Sequence, residues 1–388
     1  MNSLFLTHAN AFCGGVFRTM NLAMENGVIT AMGADLKNTT GLPVYDAAGR
    51  LVLPGFIDVH THGGAGVDVN AADRAGLCKI SSFFAAQGTT RWLASVLTDT
   101  KEQTLRCMGH LRAAIEQGLP GAQLLGIHLE GPFLASAYKG AMPEALLRPA
   151  DFDLLRAYIA ASGNHVRYLT VAPEVAGVPA LVQAVDKTRT AIAIGHSGAS
   201  YEQCMQCIEN GAISTTHTFN GMQLFHQHAP SVMGAVLASD VYCEAICDGR
   251  HLHPGSVCML LNCKGADRVI AVTDSIMAAG LPDGRYKLGV NDVIVENGDA
   301  RLAEGNSRAG STLTMLQAFR NLLRFTGAPM ERIVPLLTEN PARMLGEQAH
   351  YGALAVGMAA DAIVLDDALT ICSTIVGGRM IYENKENP

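Results

Sequence analysis

No run of lysines or arginines marks this 388-residue sequence, and its acids outnumber its bases to leave a formal charge of −7. A protein that grips a nucleic-acid backbone shows a basic patch or stripe, so nucleic acid is not an expected partner. Also missing is any uninterrupted apolar stretch near the ~18 residues a membrane span requires. The mean hydropathy of +0.19 and the hydrophobic share of 49% are therefore read as core, with no membrane partner. That much apolar material, with only 16% charged residues, excludes a disordered chain. Residues 1–15 lack the basic and apolar blocks of a secretory leader. The ten cysteines are scattered, unlike the framework of a short secreted domain. Reduced thiols and a cytoplasmic location are the expectation. Cys204-Met-Gln-Cys207 has no second CxxC to complete a zinc site and reads as two small residues on one buried helix face. Gly63-Gly-Ala-Gly66 does not have the GxGxxG spacing of a dinucleotide fold. No GxSxG nucleophile elbow occurs, and no internal repeat stands out.

What is present is alternation. Eight apolar runs look like buried parallel strands: Phe56–Val59, Thr90–Ala94, Leu124–Ile127, Val166–Val171, Ala191–Ile194, Ala212–Ser214, Tyr242–Ile246 and Val269–Val272. Helix-like segments follow most of them, among them Ala71–Gln87, Lys101–Gln117, Asp151–Ala161 and Pro179–Lys187. Strand and helix repeated in this way favour a closed barrel over an open doubly wound sheet. The fold class expected is α/β, a distorted (β/α)8 TIM-like barrel. Short strands and turns crowd both ends of the chain, which suggests a small β-sandwich domain built from both termini. The expected boundaries are residues 1–53 plus 352–388 for that domain and 54–351 for the catalytic barrel.

In such a barrel the chemistry sits at the C-terminal ends of the strands. The first run ends in His60-Thr-His62, and a period of two turns both imidazoles the same way. The third ends in His128-Leu-Glu130, the fifth in Gly195-His196, the sixth in Thr216-His217 and the eighth in Thr273-Asp274. Any one of these has an ordinary reading: a hydrogen-bonded histidine, a surface carboxylate, a helix cap at Asp274. Jointly His60, His62, Glu130, His196, His217 and Asp274 bring four imidazoles and two carboxylates to one rim. Buried groups of this kind are costly unless paired or metal-bound. Such a donor set, with positions left open, suits zinc, iron or another divalent transition ion.

The arrangement resembles the amidohydrolase superfamily over nearly the whole chain. Pro54-Gly-Phe-Ile-Asp-Val-His-Thr-His62, Asn340-Pro-Ala-Arg-Met-Leu-Gly346 and Ala360-Asp-Ala-Ile-Val-Leu-Asp366 carry that resemblance. Within the superfamily it looks like the family of N-acetylglucosamine-6-phosphate deacetylases and their N-acetylgalactosamine-6-phosphate relatives. The strings are His128-Leu-Glu-Gly-Pro-Phe133, Lys139-Gly140, Gly195-His-Ser197, His217-Thr-Phe-Asn-Gly-Met222, Asp248-Gly-Arg-His251, Thr273-Asp-Ser-Ile-Met-Ala-Ala-Gly280 and Ala309-Gly-Ser-Thr-Leu-Thr-Met315. The resemblance implies that Glu130, His196 and His217 hold the principal metal. His60 and His62 match the form with a second ion, so one or two divalent ions are expected, zinc first. Asp274 is implied as general base and acid beside the metal. Asn220, the Gly221 backbone and His251 are implied to contact the sugar, with Ala141 and Met142 next to it. The implied reaction removes acetate from N-acetylglucosamine 6-phosphate in amino-sugar catabolism. The implied partners are that small amino sugar and a second subunit, with the segment around His228 reaching the partner's site.

Two positions depart from the family pattern. Met142 stands where the family usually has a histidine, and a thioether donates no hydrogen bond. His228 stands where it usually has an arginine for the substrate phosphate, and imidazole lacks the bidentate fork. Either Lys139, Arg250 or His226 takes over the phosphate, or the substrate carries none. The epimer N-acetylgalactosamine 6-phosphate and an unphosphorylated N-acetyl amino sugar are the alternatives. A non-catalytic scaffold is disfavoured because every expected ligand position is filled. A cyclic-amide hydrolase is disfavoured because Glu130 stands where that type often bridges its metals with a carboxylated lysine.

Overall fold

The computed structural model describes residues 2–305 and 307–385. Eight parallel strands form a nearly closed barrel: Phe56–Thr61, Thr89–Leu97, Gln123–Glu130, Val166–Val171, Ala191–Ile194, Ala212–Thr215, Tyr242–Ile246 and Val269–Val272. They pair in chain order, first to eighth. These are the eight apolar runs of the sequence, several of them extended by polar residues that the apolar pattern did not include. A parallel strand covered on both faces reads as a continuous hydrophobic run, which is why the pattern was visible. Ile57, Val59, Leu93, Tyr168, Ala193, Ile246 and Val272 fill the interior, while Trp92, Phe84, Leu111 and Leu260 belong to the larger core beneath the helices.

The helices begin where capping residues permit. Asp73, Thr100 and Asp151 accept from N3 backbone amides of Arg74–Ala86, Lys101–Gln117 and Phe152–Ala161. Ser200 and Gln203 form a reciprocal capping box on Tyr201–Glu209. Cys204 and Cys207 on that helix are both buried, as the structural reading of the CxxC expected.

The barrel closes at its functional rim. No ladder joins the first and eighth strands; instead Asp274 N–H donates to His60 O at 2.8 Å and His62 N–H to Ser275 O at 2.7 Å. Asp58 sits in the seam and accepts from Thr273 Oγ1 at 2.5 Å. Burial pushes its carboxyl up to about 7 against those bonds.

Strands from the two chain ends make a second, eight-stranded sheet. Leu51–Pro54 is its junction, parallel to Leu4–Cys13 on one side and antiparallel to Ala362–Leu365 on the other. The expected terminal domain is thus one continuous hydrogen-bonded sheet with its own apolar interior of Leu6, Leu22, Ile29, Val52, Val364 and Ile375. Among the described residues no helix is long and apolar enough to cross a membrane.

One element was not anticipated. Gly284–Leu288, Asn291–Glu296 and Asp299–Leu302 form a three-stranded antiparallel sheet after the eighth barrel strand. Its second turn is Asn297-Gly298, with φ of 52° and 73°. Two successive positive φ values are the signature of the tight hairpin turn that Asn-Gly favours.

Candidate metal centre

The six groups picked out at the strand ends meet. His60, His62 and Asp274 form one cluster and Glu130, His196 and His217 another, with ligand atoms within 4.8 Å of one another in each. Glu130 lies between them: Oε1 is 3.0 Å from His196 Nε2 and 3.1 Å from His217 Nε2, and Oε2 is 3.1 Å from His62 Nε2. Asp274 Oδ1 lies 3.2 Å from His62 Nε2 and 3.5 Å from His60 Nε2. His196, His217 and Asp274 have φ of 50°, 31° and 49°. The left-handed turn directly after each strand re-aims these side chains toward the barrel mouth, at a cost on the order of 1–3 kcal/mol each.

The outer nitrogens decide what the inner ones offer. His60 Nδ1 lies 2.9 Å from Glu244 Oε2, His62 Nδ1 3.1 Å from Ser95 O, and His196 Nδ1 2.8 Å from Tyr138 O. Each outer partner is a pure acceptor, so Nδ1 carries the proton and Nε2 presents a lone pair. Yet His60 Nε2 and His62 Nε2 are 3.2 Å apart, and His196 Nε2 and His217 Nε2 3.1 Å apart. Lone pairs at that distance, with two carboxylates among them, require positive charge between them. The electrostatics agree. Burial lowers the imidazole values, but Asp274 and Glu130 hold His62 up at about 9, and Glu244, Asp274 and Glu130 hold His60 well above its usual value. Burial also opposes ionisation of Glu130 and Asp274, but the imidazoles keep both carboxyls below the usual range. The donor set therefore fits divalent cations, and outer partners of this kind are what metal-bound histidines use to fix their tautomer.

A cavity of about 250 Å³ opens on the clusters. His62, Glu130, His196, His217 and Asp274 reach its wall, and so do Ala141, Met142, Asn220, Gly221 and His251. His60 lies beneath, fully buried. His251 Nδ1 is 2.7 Å from Asp248 Oδ2, which leaves its Nε2 as an acceptor. Gly221 has φ of +59°, and a Cβ there would stand 3.1 Å from His196 Nδ1, so only glycine lets this loop close over the imidazole. His228 is not brought to this cavity: it is exposed, in the segment that also exposes Leu224 and Phe225. His128 belongs to the barrel interior, bonded to Ser95 and Thr170 at 2.8 Å each, and burial holds its value well below normal.

Sequence reasoning missed two site groups. Glu244, on the seventh strand, is fully buried and accepts from both His60 Nδ1 and the His217 backbone amide, the latter at 2.8 Å. A lone carboxylate inside Cys243-Glu-Ala-Ile246 was its signal. Arg308 lines the cavity from the segment after the unanticipated hairpin, whose signal was Asn297-Gly298 between alternating apolar residues.

A barrel with imidazoles and carboxylates gathered at its C-terminal rim is the architecture of a metal-dependent hydrolase. Residues 51–381 match the Amidohydrolase family, and the chain belongs to that family. It is 35% identical over 362 residues to N-acetylglucosamine-6-phosphate deacetylase of Lysinibacillus sphaericus, covering 93% of each chain. It is 33% identical over 360 residues to N-acetylgalactosamine-6-phosphate deacetylase of Escherichia coli O157:H7, covering 92% of this chain and 94% of that one. Its fold is similar to that of a Mycobacterium smegmatis N-acetyl-D-glucosamine-6-phosphate deacetylase mutant in complex with N-acetyl-D-glucosamine-6-phosphate. That match has a TM-score of 0.90 and 32% identity, over 98% of this chain and 99% of the other.

Proposed function

We propose that the protein hydrolyses the acetamido bond of N-acetylglucosamine 6-phosphate, giving acetate and glucosamine 6-phosphate in amino-sugar breakdown. The observation that carries this reading is one cavity wall on which the clustered imidazoles and carboxylates adjoin Asn220, Gly221 and His251. Glu130, His196 and His217 would hold one divalent ion, and His60, His62 and Asp274 a second. Zinc suits imidazole and carboxylate donors best, with iron as the alternative. When bound, such an ion supplies Lewis acidity, drawing charge from an amide carbonyl and making water acidic near neutral pH.

The chain's own groups do the rest. Asp274 is kept ionised by its imidazole neighbours despite burial, so it is a base at neutral pH. It takes the proton from attacking water and returns it to the departing amine. His251, fixed by Asp248, accepts from a sugar hydroxyl through Nε2, and Asn220 and the Gly221 backbone orient the acetamido group. Leu97 and Met142 put apolar surface on the cavity wall. A homodimer through the Leu224–His228 segment and a cytoplasmic setting complete the reading. The first is supported by 71% and 58% exposure of Leu224 and Phe225, the second by cysteines that are all free.

A second reading changes only the epimer, because identity to the N-acetylgalactosamine-6-phosphate deacetylase is 33% against 35% for the N-acetylglucosamine-6-phosphate deacetylase. Acetate release by metal-loaded protein separates them, with N-acetylglucosamine 6-phosphate, N-acetylgalactosamine 6-phosphate and N-acetylglucosamine offered in parallel. The gluco phosphate is expected to give the highest kcat/KM, and Asp274→Asn to lose turnover by several orders of magnitude while keeping its metal. No acetate from either phosphate would end the deacetylase reading; wild-type rates in Asp274→Asn would remove Asp274 from the chemistry.

A further inference from the structure

On the cavity wall Glu130 and Asp274 stand among the imidazoles that would hold the ions, so none of these groups is left over for a phosphate. A phosphate monoester entering the cavity needs a cation of its own. The groups that sequence offered for this are turned elsewhere. Lys139 Nζ donates to Met142 O at 3.3 Å. Arg250 Nη2 donates to Asn297 O at 2.5 Å and borders a separate hollow with Arg324 and Asp248. His226 and His228 are exposed.

Arg308 is different. Among the described residues it is the only lysine or arginine that lines the cavity. Its position is fixed from two directions. Ser311 N–H donates to Asp274 O at 2.7 Å, so Arg308 is tethered within three residues, at most about 10 Å of chain, of the group assigned to proton transfer. Its guanidinium is also held: Nε lies 3.0 Å from Asp299 Oδ1 and Nη2 3.3 Å from Asp299 Oδ2. Those bonds use two of the five donors an arginine carries. The side chain is 36% exposed, so the remaining edge of a pre-oriented fork is available to a ligand. A planar fork held in place loses little freedom when it takes an oxyanion on its other edge. A hexose 6-phosphate carries its acetamido group and its phosphate at different ends of one ring, and Asp274 and Arg308 line the same cavity.

We propose that Arg308 is the specificity-determining cation for the substrate's phosphate, supplied by the same chain that supplies the metal ligands. The proposal rests on the deacetylase reading for the identity of the ligand. It accounts for His228: with a guanidinium already in the cavity, the exposed segment need not carry one.

The test is calorimetric binding of glucosamine 6-phosphate and of glucosamine to metal-loaded wild type, Arg308→Gln, Arg308→Lys and His228→Gln, alongside KM and kcat for the acetylated sugars. Arg308→Gln is expected to weaken glucosamine 6-phosphate about tenfold or more, leave glucosamine unchanged, and raise KM for the phosphorylated substrate with little change in kcat. Arg308→Lys should fall between, keeping charge without the fork. Unchanged binding of glucosamine 6-phosphate by Arg308→Gln overturns the proposal. So does its loss in His228→Gln alone, which would assign the anion to the subunit contact. If wild type binds glucosamine 6-phosphate through Arg308 yet releases no acetate from any substrate, the deacetylase reading falls and the Arg308 assignment stands.

Discussion

Glu244 accepts from the Nδ1–H of His60 and from the backbone N–H of His217 through one oxygen, and so sets the orientation of one ligand from each cluster without facing the cavity. Its other oxygen, Oε1, has no hydrogen-bond partner, and neither has His217 Nδ1. A buried carboxylate is stable there only while positive charge lies close by. Glu244→Ala is therefore expected to lower metal affinity about 10–100-fold, while Glu244→Gln, which keeps an acceptor for both donors, should lose less. Metal content after dialysis, together with kcat at saturating metal, checks this; wild-type content in the alanine variant would reduce Glu244 to packing. At this scale the sequence was legible where polarity broke an apolar run at its end, as at His60, Glu130 and Asp274. It was not legible at Glu244, where one carboxylate in mid-strand looks the same whether it meets solvent or an imidazole. The left-handed turns at His196 and His217 were hidden as well, because their φ values follow from closure of loops over the rim rather than from local residue preference.

The three-stranded sheet after the barrel carries Leu288 at one end and leads into Arg308 at the other, and both line the cavity. Its Asn297-Gly298 turn is bound by Asp283, which accepts the Gly298 amide at 2.9 Å. A Cβ on Gly298 would meet Arg250 Nη2 and Thr312 Oγ1 no closer than 3.5 Å, so alanine fits sterically and the penalty is purely conformational. Gly298→Ala should cost about 1–2 kcal/mol of stability and raise KM several-fold while leaving kcat nearly unchanged. Denaturant midpoints and steady-state rates on one preparation decide it; an unchanged KM despite the lost stability would mean that this sheet does not shape the substrate's wall. The barrel strands were readable because burial on both faces removes polar residues from them. The hairpin mixes buried Val293, Val295 and Ala300 with exposed Asp292 and Glu296, and that alternation is weak over strands of four to six residues. Only the Asn-Gly turn announced it.

At the scale of the molecule, the ligand set is also a fastening. His60 lies on the first strand and His62 just past its end, Glu130 ends the third, and His196, His217 and Asp274 sit just beyond the ends of the fifth, sixth and eighth. The seam between the first and eighth strands closes through backbone bonds made by His60, His62 and Asp274 themselves. Ions held by these groups would tie together five strands and the one place where the barrel lacks a ladder. Stripping them leaves lone pairs and carboxylates facing one another in a buried space, a charge pattern the chain can relieve only by taking up protons or opening. An ion present at about a hundred times its Kd contributes roughly 2.7 kcal/mol to the folded state. At about 2–4 °C per kcal/mol for a larger domain, chelation should lower the unfolding midpoint by roughly 5–10 °C. Turnover should fall with it, and zinc added back should restore both. Scanning calorimetry on chelated, untreated and reloaded protein makes the comparison. If protein shown to be free of metal keeps both its midpoint and its acetate release, then protons rather than ions reconcile these six side chains, and the metal centre is not what holds the rim together.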